Sequence, residues 1–432
     1  MSVRRILIGP GEAAGYFSRL KAGFDELGIP CEHFVFTPNK FAYQESNYFL
    51  KATYLRVNHL RNSDNRLVRR IGWAIEICIR FIAFNYALLR CDVFIFPGFG
   101  SFFHFHELPL LKLLGKKVIV VYVGSDSRPP IISGKHLDDS GEFVSPEQTY
   151  KETLDMFHRI KRVEKNANFI LSHTASAQFF SKVFIRVNAV GTPILASLPD
   201  CNFVDKYDCK GIRILHAPSR PLAKGSAVIR KIINELREEG YCIDLIELTG
   251  VPNSKVLDEL EKCDFVIDEV YSDAPMCGLS TEAAIFGKPV VVGGYYAEQY
   301  KIDNPDPEIP PTFYVNPENL MQAVRKMIDD INFRLNLGKS AYNFINNIWC
   351  SRTVAKNYLQ LIDDDIPLNW LIDPKDLDYY LGWGLSKENW RQQVGEYVAK
   401  LGSDALMFNH NPKLKQKVLD EIDNVKIEST HD

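Results

Sequence analysis

The 432-residue chain carries nine cysteines but no C-x-x-C pair. They stand at 31, 78, 91, 201, 209, 242, 263, 277 and 350, several inside apolar runs. That scatter excludes a zinc ribbon or a disulfide frame and reads as small buried hydrophobes in a reducing compartment. An excess of one charge is also missing: 51 Lys and Arg face 54 Asp and Glu, for a formal net charge of −3. A general nucleic-acid binder is not expected from that balance. The opening MSVRRILIG lacks a long apolar segment and a small-residue cleavage site, so no signal peptide is expected. There is no short sequence repeat. Nor is there an uncharged apolar run of about 20 residues, the length a spanning helix needs. The most apolar stretch, 71–96, is interrupted by Glu76, Arg80 and Arg90 and reads as a core helix running into the strand DVFIF.

What is present is an alternation. The length suits two or three domains, and the composition, 46% hydrophobic and 24% charged, is that of a soluble globular enzyme. Strand-like runs at 4–9, 31–36, 92–98, 117–124 and 169–173 alternate with helical patterns at 16–27, 71–89, 102–114 and 150–165. A second set of strands at 212–218, 243–248, 265–270, 288–294 and 312–315 alternates with helices at 223–239, 254–262, 279–286 and 317–330. Each set predicts a parallel sheet with both faces covered. The expected units are residues 1–205, residues 206–362 and a helical, aromatic extension at 363–432, where Trp370, Trp383 and Trp390 call for burial. The fold class expected is α/β, two Rossmann-like domains facing across a cleft. Ligands should then lie at the carboxyl ends of the strands.

Four loops at such ends carry chemistry. ILIGPGEAAGYF places Gly9, Gly11 and Gly15 between a strand and a helix. This imitates a dinucleotide fingerprint, with Glu32 as the ribose acid, but the third glycine comes one residue late. FPGFGSFFHFHE supplies Gly98, Gly100, His104 and His106. VYVGSDSRPP delivers Asp126 and Arg128, to be read as a turn pair or as groups facing a sugar or acceptor. HAPSRPLAKGS puts Arg220 and Lys224 near a helix start with no acid in the loop, a pattern that calls for an anion such as a diphosphate. In DAPMCGLSTEAAIFGKPVVV, Gly278 precedes a helix. The N–H groups of Leu279, Ser280 and Thr281 are expected to be free, with Glu282 placed to cap the helix or hold a ribose.

Together the GSD-x-R loop, HAPSR…KG and GLSTEAAIFGKPV resemble the GT-B glycosyltransferases of the retaining group 1, family 4-like branch. The likeness spans roughly residues 4–362 and is strongest over 212–292. It implies metal-independent transfer of a sugar from a nucleotide-diphosphate sugar, such as a UDP-sugar, to an acceptor hydroxyl with retention. It implies no cofactor. Arg220 and Lys224 match the family's diphosphate cations, and Glu282 the second acid of its E-x7-E motif. The catalytic set implied is Arg220, Lys224 and Asp126. Gly278, Leu279, Ser280, Thr281 and Glu282 would join the two cations around the nucleotide. Asp273 is offered for the donor sugar, because the first acid's place is Ala274. Gly9, Gly11, Gly15, Gly98, Gly100, His104 and Arg128 would line the acceptor side. Val123 stands where many members carry a histidine. Loss of Lys224 is expected to lower turnover without unfolding the chain.

The partners expected are the donor and a glycan or lipid-linked acceptor, with a role in polysaccharide biosynthesis. The expected location is cytoplasmic. The basic stretch 51–70, with Lys51, Arg56, Arg61, Arg66, Arg69 and Arg70, is read either as a solvated helix face or as a patch for anionic lipid. A non-catalytic nucleotide-sugar binder, a dehydrogenase and a nucleotide-sugar epimerase stand as alternatives.

Overall fold

Short apolar runs bounded by glycine turns become the strands of two sheets. The computed structural model describes residues 4–36, 57–137, 140–194, 211–305 and 308–428. In the first sheet β1 (Ile6–Ile8) lies between β2 (Cys31–His33) and β3 (Val93–Pro97). β4 (Lys117–Val121), β5 (Phe169–Ser172) and β6 (Phe184–Arg186) extend it in parallel. The strand order is β12-β6-β5-β4-β3-β1-β2, and only β12 (Leu371–Ile372) is antiparallel. The second sheet holds β7 (Ile212–His216), β8 (Ile243–Glu247), β9 (Phe265–Ile267), β10 (Val290–Gly293) and β11 (Phe313–Val315). Its order is β11-β10-β9-β7-β8, all parallel. The central strands are buried along their length because helices cover both faces. The expected pair of Rossmann-like parallel sheets is present.

The first domain's helices include α1 (Tyr16–Glu26), α2 (Arg66–Arg90), α3 (Leu108–Leu113) and α4 (Pro146–Asn166). α3 is shorter than the helical run 102–114 suggested. His104 and Phe105 adopt left-handed backbone with φ of 51° and 67°, and Pro109 supplies the second helical position. The second domain carries α5 (Ser226–Glu238), α6 (Asn253–Leu260), α7 (Gly278–Ile285), α8 (Ala297–Asp303), α9 (Leu320–Asp329) and α10 (Ile331–Asn347).

Two expectations change. α11 (Ser351–Ile362), assigned by sequence to the second domain, packs on the first. Val354, Ala355, Tyr358 and Leu361 join Phe17, Leu20 and Phe24 of α1 in one core. Gly23 lets the helices touch, since a Cβ there would lie 2.0 Å from the Ser351 carbonyl. The boundary drawn at 205 lies outside the described residues. α2, read as a core helix, buries only one face, made of Gly72, Glu76, Ala83, Phe84 and Ala87. Of the basic stretch 51–70, residues 51–56 lie outside the described residues. Arg61 is paired with Glu76, and Arg66, Arg69 and Arg70 are exposed on the first turns of α2.

The extension after 362 braces the whole molecule. α12 (Lys387–Leu401) buries Trp390 in the first domain's core, with its indole N–H on the Tyr380 carbonyl at 3.0 Å. Just before it, Gly134 donates to the Trp383 carbonyl at 2.7 Å and Gly384 donates to the Tyr271 carbonyl at 2.8 Å. The chain therefore crosses from one domain to the other at Trp383. α13 (Pro412–Glu428) ends the described chain.

Candidate functional site

The strand orders reverse at β1/β3 in the first sheet and at β7/β9 in the second. Loops at such switch points open a crevice. In the first domain that crevice begins at Gly9, whose φ is 125° and whose Cβ would fall 2.2 Å from the Phe34 carbonyl. Gly15 caps α1 in left-handed conformation, φ 82°. Between them Glu12 turns its carboxylate onto the helix start. It accepts from the N–H groups of Ala13 at 2.7 Å, Phe17 at 3.2 Å and Ser18 at 2.8 Å. The place a dinucleotide phosphate would take is filled by the chain's own acid, which speaks against the dehydrogenase reading.

The second domain repeats the device. Lys224 is buried, and its ammonium donates to Asp268 Oδ1 at 2.6 Å, with Glu269 Oε1 3.6 Å away. Burial acts to lower the Lys224 pKa, but Asp268 and Glu269 outweigh it and hold the group charged. Asp268 also accepts from the Ser280 N–H at 3.2 Å and the Ser280 hydroxyl at 2.6 Å, at the start of α7. Its pKa falls despite burial because Lys224 and Ser280 favour the carboxylate. The expectation of an unneutralised lysine is corrected: the acids come from the end of β9, far along the chain. The Ser280 N–H is likewise taken, and the Thr281 N–H donates to the Cys277 carbonyl at 2.8 Å. Gly278 and Leu279 keep the helix-end positions that lack an intrahelical acceptor. Arg220 is exposed and reaches the other domain, where it donates to the Lys135 carbonyl at 3.1 Å.

Arg128 and Asp273, expected on opposite sides of the cleft, are bound to each other. Arg128 Nε donates to Asp273 Oδ2 at 2.8 Å and Nη2 donates to the same oxygen; both side chains are buried. The Arg128 guanidinium lies 5.6 Å from the centre of the Trp383 ring, and the Trp383 N–H donates to Glu269 at 2.5 Å. The turn pair between Asp126 and Arg128 does not form. Asp126 instead accepts from the N–H groups of Val123 at 3.1 Å and Gly124 at 3.0 Å. Burial raises its pKa to about 6.

Two adjoining cavities open beside these groups. The larger, about 480 Å³, lies in the first domain and is lined by Asp126, Lys135, Glu152, Asp155 and Arg159 among others. The smaller, about 190 Å³, lies between the domains. Arg19, His173 and Thr192 face it from the first domain, and Ala274, Cys277, Gly278, Thr281 and Glu282 from the second. Ala13 and Val123 line both. Glu282 is half-buried, accepts from Asn253 Nδ2 at 3.2 Å, and has its pKa raised by burial. Gly98 is a packing glycine, because a Cβ there would meet Tyr122 at 2.2 Å. Gly11 abuts the Phe99 ring, and Gly100 has open space. His104 and His106 are exposed and line neither cavity.

Sequence reasoning passed over His173, the last residue of the FILSH run. It stands at the carboxyl end of β5, and its Nδ1 is buried without a hydrogen-bond partner. Burial pushes its pKa down to about 4, so it is neutral at pH 7. Position at a strand end was the available signal. Among the described residues no group of three or more His, Cys, Asp or Glu could hold a metal ion.

No protein-family model and no curated protein matches the chain. Among solved structures it is similar to the S. aureus MnaA–UDP co-structure, at 14% identity over 84% of this chain and 98% of that one, with a TM-score of 0.43. Anabaena HepE in complex with UDP gives 12% identity over 83% and 100%, with a TM-score of 0.44. The glycosyltransferase SnogD from Streptomyces nogalater gives 13% identity over 84% and 100%, with a TM-score of 0.38. Likeness this loose assigns neither a family nor a ligand to the chain.

Proposed function

We propose that the chain binds a nucleotide-diphosphate sugar between its domains and transfers the sugar to an acceptor hydroxyl held in the first domain. The observation that carries this reading is the interdomain cavity, where the half-buried Glu282 carboxylate faces space walled by both domains. A carboxylate so placed can accept hydrogen bonds from both hydroxyls of a ribose. The adjoining larger cavity, bordered by Asp126 and Arg159, would receive the acceptor. Retention, metal independence, a UDP donor, a role in polysaccharide biosynthesis and a cytoplasmic site of action belong to the same proposal, as the sequence resemblance implies them. Lys224, paired with Asp268, would act on a diphosphate only by exchanging that partner, so Arg220 and the first N–H groups of α7 are its more accessible anion donors.

The test is a thermal-shift and transfer panel with UDP, GDP, ADP and their sugars. One nucleoside diphosphate at about 100 times its Kd should stabilise the protein by about 2.7 kcal/mol. Glu282→Ala should abolish the shift. A full panel without any shift refutes the reading. A second reading, a non-catalytic nucleotide-sugar binder, is favoured by Asp268 occupying both Lys224 and the α7 N-terminus. Binding without hydrolysis or transfer to any acceptor would select it.

A further inference from the structure

α2 is inverted relative to a surface helix. Its protein-facing side holds Gly72, Glu76, Ala83, Phe84 and Ala87, and the acid there is held by Arg61 at 2.5 Å and Arg80 at 2.8 Å. Its outer side is apolar. Leu67, Ile71, Ile75, Phe81, Ile82 and Leu89 all point to solvent, with Phe81 60%, Leu67 67%, Ile82 68% and Leu89 85% exposed. At 1.5 Å per residue the stripe from Leu67 to Leu89 runs about 33 Å along the 25-residue helix. A contiguous apolar face of that kind marks an interaction site.

The charges on the same helix choose the occupant. Arg66, Arg69 and Arg70 are exposed at its start and Arg90 at its end, while its sole acid, Glu76, is buried and paired. Long apolar side chains flanked by four exposed arginines, against the exposed Asp64 and Asp92 just beyond the helix ends, fit a lipid bilayer carrying anionic head groups. A second copy of the chain would meet the same arginines and gain like-charge contacts. Leu113 at the end of α3 and Leu114 after it are also exposed, and Lys116 Nζ ties that loop to the Cys91 carbonyl at 2.7 Å.

The helix is long and apolar enough to cross a membrane by length and composition. Ala83, Phe84 and Ala87, however, sit in the first domain's core with Phe94 and Phe96 of β3, so one face cannot leave the protein. We infer that α2 lies flat in the interface of an anionic membrane, its outer stripe among the acyl chains and its arginines at the head groups. This binding requires no nucleotide. If the donor reading above also holds, the domain that would hold the acceptor is the one that binds the membrane, which fits a lipid-linked acceptor.

The test is co-sedimentation of the full chain with vesicles of phosphatidylcholine alone or mixed equally with phosphatidylglycerol. Binding is expected to the mixed vesicles at low salt, at least tenfold weaker to phosphatidylcholine. Ile71→Glu/Ile82→Glu and Arg66→Glu/Arg69→Glu/Arg70→Glu should each lower binding at least tenfold while keeping the wild-type melting temperature, since every changed side chain is exposed. Absence of binding to the anionic vesicles overturns the inference, and so does binding that neither variant weakens. Light scattering without vesicles should give a monomer, and a dimer dissociated by Ile71→Glu/Ile82→Glu would assign the stripe to self-association instead. None of these readouts depends on a nucleotide, so this inference and the donor reading fail separately.

Discussion

Lys224 and Glu282 lie in the same domain, both flanking the crevice, and the motif resemblance gives both to one nucleotide. Their surroundings differ. Lys224 is buried against two carboxylates of its own chain, Asp268 and Glu269. Glu282 has an amide partner at 3.2 Å and a cavity in front of it. A buried charge must be paired. Where the chain supplies the partner, the residue holds the fold together; where it faces open space, a ligand can complete it. The difference teaches that residue type and spacing announce a need for counter-charge without saying who meets it.

The largest test of this contrast is Lys224→Ala. Breaking a buried pair by removing one partner costs about 3–5 kcal/mol, so chemical denaturation should report a loss of that size. An unchanged midpoint would show that Asp268 and Glu269 do not depend on the lysine and would return it to ligand binding. Next comes Asp126, whose folded pKa of about 6 lies above the unfolded value. The folded state then binds the proton more tightly, so the wild type loses stability as pH rises from about 4 to 6. Asp126→Asn should remove that slope, a difference of about 2 kcal/mol between pH 4 and pH 7. Parallel melting curves across this range would contradict the buried-carboxylate description. Trp383→Phe takes the indole N–H from Glu269 and should cost about 2 kcal/mol, the worth of a hydrogen bond to a charged group. A neutral result would make the domain-crossing segment a filler and not a clasp. Smallest in stability is Glu282→Ala, expected within about 0.5 kcal/mol of wild type without ligand. A loss like that of Lys224→Ala would erase the contrast altogether.

Much of the architecture was legible in the sequence because periodicity and glycine turns act locally. The strands at 212–218 and 117–124 stand close to where the pattern put them, and the extension after 362 is helical as expected. The site was less legible. Glu12 sits inside the loop whose phosphate it replaces, yet its capping role depends on the turn that Gly15 allows. Asp268 lies 44 residues from Lys224. Arg128 and Asp273, separated by 145 residues, were assigned separate tasks and are one ion pair. Such pairs form through topology, which no local pattern contains. α2 shows the same limit. Its apolar content suggested the core, while the side turned inward is the one with Glu76, because Arg61 and Arg80 neutralise it there.

By itself the amino-acid order determined the alternation of strands and helices, the two parallel sheets and the loops that end at their carboxyl edges. These follow from side-chain period and backbone sterics over a few residues. Only the tertiary structure decided which charges meet inside the chain, which face of α2 is left to solvent, and that α11 and Trp383 return to bind the first domain. Those outcomes depend on burial, and burial is settled by residues far apart in sequence competing for the same low-dielectric space.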